Sequence, residues 1–414
     1  MPPDKSRHIL VATSTFPRWP GDTEPSFVFD LSRRLRRKGY EVSVLAPHAK
    51  GARLKETMDG IRVYRYRYFF PGLQGLAYAG GILANLRKNR LNYLLVPFFL
   101  FFQLIALVRI LRANRFDLVH AHWLIPQGLI CAVVNNYLVA GSLPLICTSH
   151  GADIYALSNS LFRLLKKWTI GKCTHLAVVS SAMQEACLQL GVDKTKVSVI
   201  SMGVDLRNTF IPATDVERKN NRLIFVGRLV EKKGIQILLD AMKTVIKQLP
   251  DMELLLVGQG PLQESLTAQV KSSGLAGNVI FKGGIRNDSL PALYSSACIS
   301  IVPSVIDRHG DQEGLGLVMI EAMGCGCAVI ASSLEPIKDV IDDGRTGLLF
   351  SPGNAPELAD KILLLAADPG LRRALAERGR ASVIGKYDWD SISDQYHNLI
   401  HSSSQRSAAA GGRS

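Results

Sequence analysis

Two short stretches of this 414-residue chain combine residue types that could handle an anion and the hydroxyls of one long ligand. The first is Gly227-Arg228-Leu229-Val230-Glu231-Lys232-Lys233-Gly234, which follows a run read as a strand and opens a run read as a helix. Amides at a helix N-terminus point outward at such a turn, so anions bind there. Arg228 would add a bidentate fork and Lys233 a point charge. Read alone, the same stretch also fits a solvated basic turn. The second is Glu313-Gly314-Leu315-Gly316-Leu317, followed by Glu321 eight residues after Glu313. On one continuous helix an offset of eight leaves two carboxylates about 11 Å apart, able to reach different parts of one ligand. Gly314 and Gly316 would let backbone amides approach an anion or a sugar hydroxyl. Glu321 lies in an apolar helical run, where an unpaired carboxylate is costly. A hydroxyl-bearing ligand would satisfy it; partial solvation is the other reading.

Further candidates are weaker singly. His150, in Ser149-His150-Gly151-Ala152-Asp153, closes an apolar strand where Gly151 lets the chain turn; an ordinary strand-end histidine is the alternative. Asp153 reads as a cap or a supporting residue. His120 and His122 put two rings on one face of a strand, but no third metal ligand accompanies them. Asp388-Trp389-Asp390 spells D-x-D, yet it precedes the last helix, where Asp390 would be an N-cap. No metal site is assigned. The seven cysteines are odd in number, scattered and mostly in apolar runs, as expected of buried reduced thiols. Cys325 and Cys327 have neither a metal nor a thioredoxin spacing.

These residues need a scaffold, and the chain supplies a repeating one. Apolar residues make up 47% and charged residues 20% of it, which excludes a disordered, collagen-like or disulfide-scaffold protein. The length predicts two or three domains. Short β-rich runs at His8–Thr13, Val42–Pro47, Ile61–Tyr66, Leu118–Ala121, Leu145–Ser149, Leu176–Ser180 and Val197–Ile200 alternate with helical stretches. A polar stretch, Pro212–Asn221, reads as a linker. A second series follows at Leu223–Val226, Glu253–Val257, Val279–Lys282, Ile299–Pro303 and Ala328–Ala331. Near-continuous apolar strands alternating with helices mean parallel sheets covered on both faces. The expected fold class is therefore α/β, with two doubly wound, Rossmann-like domains facing a cleft. The expected division is 1–210 and 211–385, then a last helix over 386–401 and a disordered low-complexity tail over 402–414. No G-x-G-x-x-G closes the first strand, so a dehydrogenase fits poorly.

The net charge of +14 is unevenly placed: residues 1–210 carry 27 Lys+Arg and 12 Asp+Glu, a balance of +15. A basic front half points to an anionic partner. Leu91–Val108, LNYLLVPFFLFFQLIALV, is flanked by Arg87, Lys88 and Arg90 before it and by Arg109, Arg112 and Arg115 after it. It reaches the length of a spanning candidate, but Asn92, Pro97 and Gln103 speak against spanning. Two readings stand, a core helix with one greasy face and a helix lying in a bilayer interface. Ile61–Phe70, IRVYRYRYFF, interleaves arginine with aromatics and fits either an interface or lipid-linked acceptor site, or a strand with a basic outer face. No nucleic-acid motif accompanies it. No signal peptide is visible, so a cytoplasmic location is expected.

Taken together, the motifs resemble a retaining glycosyltransferase of family 4, of the GT-B fold, over roughly residues 8–400. The resemblance rests on Glu313 to Glu321 with its glycines, on Glu321-Ala322-Met323-Gly324-Cys325-Gly326-Cys327-Ala328-Val329-Ile330, and on 227–234. Gly203-Val204-Asp205, Gly258-Gln259-Gly260-Pro261-Leu262 and Asp342-Asp343-Gly344-Arg345-Thr346-Gly347-Leu348-Leu349 support it by order and spacing. It implies that Arg228 and Lys233 hold the donor diphosphate and that Glu321 binds the donor ribose. It implies that Glu313 and the amides of Gly314, Leu315, Gly316 and Leu317 meet the donor sugar, with His150 near it. It further implies that the last helix crosses back onto the first domain. One departure stands out: the family often has Gly-Gly in the first strand-to-helix loop, and here Gly21 is followed by Asp22. Asp22 could instead bind an acceptor hydroxyl or act as a base; an exposed turn aspartate is the alternative. The expected activity is a metal-independent hexosyl transfer from a UDP- or GDP-sugar to an acceptor hydroxyl. The acceptor is expected to be lipid-linked and bound for a polysaccharide, glycolipid or lipopolysaccharide, with the enzyme peripheral on the inner face of the cytoplasmic membrane. The rival readings are a nucleotide-sugar epimerase of the same fold and a non-catalytic membrane-surface scaffold.

Overall fold

The computed structural model describes residues 6–22, 24–139, 143–156 and 159–411. The chain divides into two compact units. Unit 1 holds the chain up to Val179, Met183–Ile200 and the chain from Ile392 onward; unit 2 holds Ser180–Ala182 and Ser201–Ser391.

Unit 1 is built on eight strands: β1 (His8–Ala12), β2 (Glu41–Pro47), β3 (Lys55–Met58), β4 (Ile61–Tyr66), β5 (Leu118–His122), β6 (Leu145–Ser149), β7 (His175–Val178) and β8 (Val197–Val199). Their order is β3-β4-β2-β1-β5-β6-β7-β8, parallel except where β3 runs antiparallel to β4 at the edge. β5 and β6 are buried along their whole length, as strands covered on both faces must be. The chain order reverses between β1 and β5, and ligands bind outside the carboxyl ends of strands at such a switch point.

Unit 2 carries six strands: β9 (Lys219–Val226), β10 (Glu253–Val257), β11 (Val279–Gly283), β12 (Ala297–Val302), β13 (Ala328–Ser332) and β14 (Leu348–Phe350). All pairs are parallel, in the order β11-β10-β9-β12-β13-β14. Its switch point lies between β9 and β12. The core beneath joins Leu254 and Leu256 of β10 to Leu238, Leu239 and Met242 of the helix Ile235–Gln248.

The expected boundaries shift in three places. Ser201–Phe210 belongs with unit 2 rather than ending the first domain. Val204 pairs with Asp388, and bare Gly324 leaves room for Leu206 and Phe210. The stretch read as a linker is partly strand, because β9 already starts at Lys219. The last helix does not stop at residue 401: it runs Trp389–Gly411. Ser402 and Ser404 return their hydroxyls to the carbonyls of Leu399 and Ile400, and Ala408 to Ala410 are the strongest helix formers. Residues 412–414 lie outside the described residues. From Ile392 this helix packs in unit 1 through buried Ile392, Tyr396 and Ile400. Lys38 pairs with Asp394, and the Tyr40 hydroxyl meets His397 Nδ1 at 2.9 Å.

The apolar segment near residue 100 forms a helix, Leu95–Ala113, that buries one stripe: Leu95, Phe99, Gln103, Leu107 and Ile110. Phe99 sits edge-on to Tyr66 and Tyr68, with centroids 5.6 and 5.1 Å away, and the Tyr66 hydroxyl donates to Gln103 Oε1 at 3.3 Å. The opposite face is open to solvent at Phe98, Phe101 and Phe102.

Candidate active site

In unit 2 the basic stretch occupies the switch point. β9 ends at Val226, the chain turns through Gly227 to Val230, and a single 3-10 turn Glu231–Lys233 leads into the helix Ile235–Gln248. Gly234 makes this possible. It has φ +64°, and a Cβ there would lie 1.8 Å from the Pro303 carbonyl oxygen just beyond β12. Only glycine takes that conformation at that distance without cost. The turn is thereby pressed against the end of β12, from which the Glu313 loop departs.

Lys233 Nζ donates to Glu313 Oε2 at 2.5 Å, both side chains being largely buried. Lys232 Nζ donates to Asp311 Oδ1 and to the Gln312 carbonyl, each at 3.2 Å. Burial pushes the Glu313 carboxyl up, but the charges of Lys233, Lys232 and Arg228 outweigh it and hold the group below the usual carboxylate range. Arg228 is exposed. The Lys233 ammonium has three donors, so it can hold Glu313 and still offer hydrogen bonds to an oxyanion.

Glu313 and Glu321 do not share a helix, contrary to the spacing argument. The helix begins at Leu317 and ends at Gly324. Gly316, with φ +87° and ψ +66°, stands before it in the left-handed region and breaks the continuity. Glu313 is thus a loop residue and Glu321 a helical one. No side chain caps this helix and its first turn holds no acidic residue, so its N-terminal amides keep their anion-attracting character. Glu321 Oε2 accepts from the Tyr294 hydroxyl at 3.2 Å. Burial raises the Glu321 carboxyl to about 7, against the pull of Tyr294 and of the Lys233 charge.

The histidines of unit 1 occupy the matching place in the other sheet. His120 lies mid-way along β5, His122 ends it, and His150 follows β6. His122 Nδ1 and His150 Nε2 are 3.0 Å apart, and their rings stack in near-parallel planes with centroids at 5.3 Å. His120 Nε2 meets the Thr148 hydroxyl at 2.8 Å, which is 3.2 Å from the Tyr396 hydroxyl of the last helix. Burial pulls His120 and His150 down to about 3 and His122 well below its usual value, with neighbouring rings adding to the shift for His122 and His150. All three imidazoles are neutral near pH 7. Each nitrogen–nitrogen contact then needs one donor and one acceptor, so the His122 tautomer sets that of His150.

Trp123 and Phe27 cover this group, each with its ring centroid 4.8 Å from that of His150. Trp123 has φ +72°, a strained state for a bulky residue that persists only where the surroundings impose it. They do so here. Trp123 N donates to the Thr148 carbonyl at 2.7 Å, and Leu124 N to Asp153 Oδ2 at 2.6 Å. Asp153 Oδ1 accepts from the Ser149 hydroxyl at 2.7 Å. Asp153 thus pins the Trp123 turn.

The remaining candidates have structural partners. Gly21 has φ +77° and lies at the surface. The Asp22 carboxylate is buried and paired with Arg18, whose Nη2, Nε and backbone N donate to it at 2.7 to 2.8 Å. Burial raises this carboxyl, but the Arg18 hydrogen bonds outweigh it and leave it below the ordinary range. A carboxylate so engaged makes a poor base. Asp388, not Asp390, caps the last helix, accepting from Asp390 N at 3.1 Å while Leu206 N reaches its other oxygen. Among the described residues no group of three or more His, Cys, Asp or Glu side chains could hold a metal ion. All seven cysteines are buried thiols.

Sequence reasoning missed Tyr294, the Lys232–Asp311 pair, Trp123 and Tyr396. None of these has a local signal, since each partner lies tens to hundreds of residues away. His122 did carry one, its spacing of two from His120, which was weighed for a metal rather than for His150.

Comparison with known proteins identifies the family. Residues 207–382 match the family described as glycosyl transferases group 1, and residues 26–208 match glycosyltransferase family 4. An uncharacterised glycosyltransferase of Methanocaldococcus jannaschii is 30% identical over 283 residues, covering 68% of this chain and 74% of its own. The phosphatidyl-myo-inositol mannosyltransferase of Mycolicibacterium smegmatis is 28% identical, covering 91% of this chain and 89% of its own. Among solved structures, sucrose-phosphate synthase from Thermosynechococcus elongatus superposes with a TM-score of 0.76 at 24% identity, over 96% of this chain and 99% of its own. Anabaena HepE, solved with UDP and glucose, superposes with a TM-score of 0.71 at 20% identity, over 96% and 100%.

Proposed function

The chain belongs to the family 4, group 1 glycosyltransferases, and on that premise we propose that it transfers a hexosyl group from a nucleoside-diphosphate sugar to an acceptor hydroxyl with retention at the anomeric carbon. The observation that carries this reading is the Lys233–Glu313 pair at the switch point of unit 2. It sets a buried cation for a diphosphate beside a charged carboxylate for sugar hydroxyls.

In this reading Lys233 and Arg228 hold the diphosphate, with the amides from Gly314 to Leu317. Glu313 accepts hydrogen bonds from the sugar and Glu321 from the ribose. The bond from the anomeric carbon to the diphosphate oxygen breaks while the bond to the acceptor oxygen forms on the same face. The acceptor proton leaves with the departing phosphate. Lys233 and Arg228 stabilise the charge that grows on that phosphate, the kind of preorganised electrostatic help that contributes most to such steps. No metal has a part in this scheme. His150, a neutral imidazole, is proposed to hydrogen-bond the transferring sugar.

The HepE structures with UDP and UDP-glucose support a UDP-sugar; a GDP-sugar remains the other donor class. The phosphatidyl-myo-inositol mannosyltransferases among the relatives support a lipid-linked acceptor, as does the basic front half of the chain. We place the enzyme at the inner face of the cytoplasmic membrane.

The test is to incubate the protein with UDP- and GDP-sugars and membrane lipid extract, and to read nucleotide release and the product's anomeric configuration by NMR. Nucleotide release that requires the extract, with retained configuration, is expected. An inverted product overturns retention. Interconversion of donor sugars without acceptor would instead make the protein an epimerase.

A further inference from the structure

We propose that unit 1 docks on an anionic lipid bilayer by shallow insertion of one aromatic ridge, made of the loop after β4 and the outward face of the helix Leu95–Ala113. This rests on the membrane part of the proposed function and names the surface that performs it.

The ridge comes from two segments that touch. Phe69 meets Phe98 with ring centroids at 5.3 Å, joining the loop to the helix. Phe70 and Leu73 stand exposed on the loop, 71% and 60% of their surfaces open. Leu91 and Leu94 are exposed in the turn before the helix, at 71% and 69%. At 100° per residue, Leu94, Phe98, Phe101, Phe102 and Ile105 fall on one stripe of the helix. Soluble proteins scatter exposed apolar residues singly, whereas a contiguous patch marks an interaction surface.

The charge around it chooses the partner. From Gly60 to Phe116 the chain contains nine Lys+Arg and no Asp or Glu. Arg67, Arg87, Lys88 and Arg90 are exposed around the ridge. Arg109 and Arg112 continue the same helical stripe toward its C-terminal end, exposed as well. A mostly apolar hollow of about 360 Å³ is lined by Leu104, Ile105, Val108, Arg109, Arg112 and Leu138, with Arg112 Nη2 donating to the Leu138 carbonyl at 3.1 Å. An acyl chain suits the apolar lining, and a lipid phosphate suits the two guanidiniums. A second copy of the chain fits poorly, because a two-fold contact would bring these like charges face to face.

The geometry also sets the depth. Arg90–Ala113 is long and apolar enough to cross a membrane. However, the stripe from Leu95 to Ile110 is buried in unit 1, with Gln103 bonded to Tyr66. Crossing would tear that stripe from the sheet. Lying flat keeps it in place, with the aromatics at acyl depth and the arginines at the headgroups.

The test is flotation of the full chain with phosphatidylcholine vesicles, with and without phosphatidylglycerol. Wild type should float with the anionic vesicles and release on adding salt. Phe101→Glu/Phe102→Glu should lower partitioning by at least about tenfold. Arg87→Ser/Lys88→Ser/Arg90→Ser should weaken it and flatten the salt dependence. These side chains are exposed, so the melting temperature should hold, which separates lost docking from misfolding. A Leu91→Trp reporter should be quenched by lipids brominated on the acyl chains. Failure of wild type to float, undiminished flotation of the Phe101/Phe102 variant, or an unquenched reporter overturns the proposal. A dimer in sedimentation that the Phe101/Phe102 variant dissolves, without vesicle binding, assigns the ridge to a second copy and overturns it too. Nucleotide stabilisation of unit 2, measured on the same samples, shows independently whether the donor reading stands.

Discussion

The two sheets place chemistry-bearing residues at equivalent points and charge them oppositely in strategy. At the β9/β12 switch point, unit 2 gathers Lys233, Lys232, Glu313 and Asp311 in interlocked ion pairs. In unit 1, the strand ends beside the β1/β5 switch point gather three imidazoles that burial keeps neutral. The first arrangement suits a ligand that brings negative charge, since Lys233 keeps hydrogen-bond donors beyond the one held by Glu313 and Arg228 stands exposed beside it. The second offers hydrogen bonds without net charge, which the hydroxyls of a ligand can use. One fold thus runs two recognition modes, and the difference lies in the loops rather than in the sheets.

The contrast is sharpest at Lys233. Lys233→Ala should lower turnover by about 10²- to 10³-fold and abolish stabilisation by nucleoside diphosphates. Full activity in this variant would sink the phosphate assignment. A smaller effect is expected at Glu321. Its carboxyl rises from 4.5 in the unfolded chain to about 7 in the fold. The native state therefore keeps a proton that the unfolded state releases. That contribution to stability is full below pH 4.5 and is lost as pH rises to about 7. Glu321→Gln removes this slope, so without nucleotide the variant should gain on wild type by about 3 kcal/mol across the window. Parallel melting curves for the two proteins over that range would contradict it. His122→Phe should cost about tenfold in turnover by freeing the His150 ring, with nucleotide stabilisation unchanged. Burial holds all three imidazoles well below their usual range, so no histidine step near pH 6.5 should come from this cluster in the pH–rate profile. Tyr294→Phe should be mildest, about 1 kcal/mol in ligand binding or stability, and should push the Glu321 carboxyl higher still.

Most of the scaffold was legible because buried parallel strands write themselves as apolar runs. Ile61–Tyr66, Leu145–Ser149 and Glu253–Val257 hold to the residue. β3, Lys55-Glu56-Thr57-Met58, was illegible because an edge strand half in water needs no apolar run. β14 has only three residues and hides behind the Asp342–Gly347 turn. Periodicity failed between Glu313 and Glu321 because it assumes an unbroken helix, and Gly316 breaks it. The distinction between Asp388 and Asp390 is one of which carboxylate faces the amide, and spacing alone does not encode that. In the helix Leu95–Ala113 apolar residues surround the whole circumference, so only packing reveals that Phe99 faces inward and Phe98 outward.

The account's central claim is that Lys233 and its neighbours form a nucleoside-diphosphate site. A thermal-shift series with UDP, GDP and ADP, on wild type and Lys233→Ala, with and without EDTA, tests it most directly, because a ligand that binds the native state raises the melting temperature by mass action. One of UDP and GDP should stabilise wild type, equally in EDTA, and leave Lys233→Ala unmoved. Equal stabilisation of both proteins, or of neither, would contradict the claim.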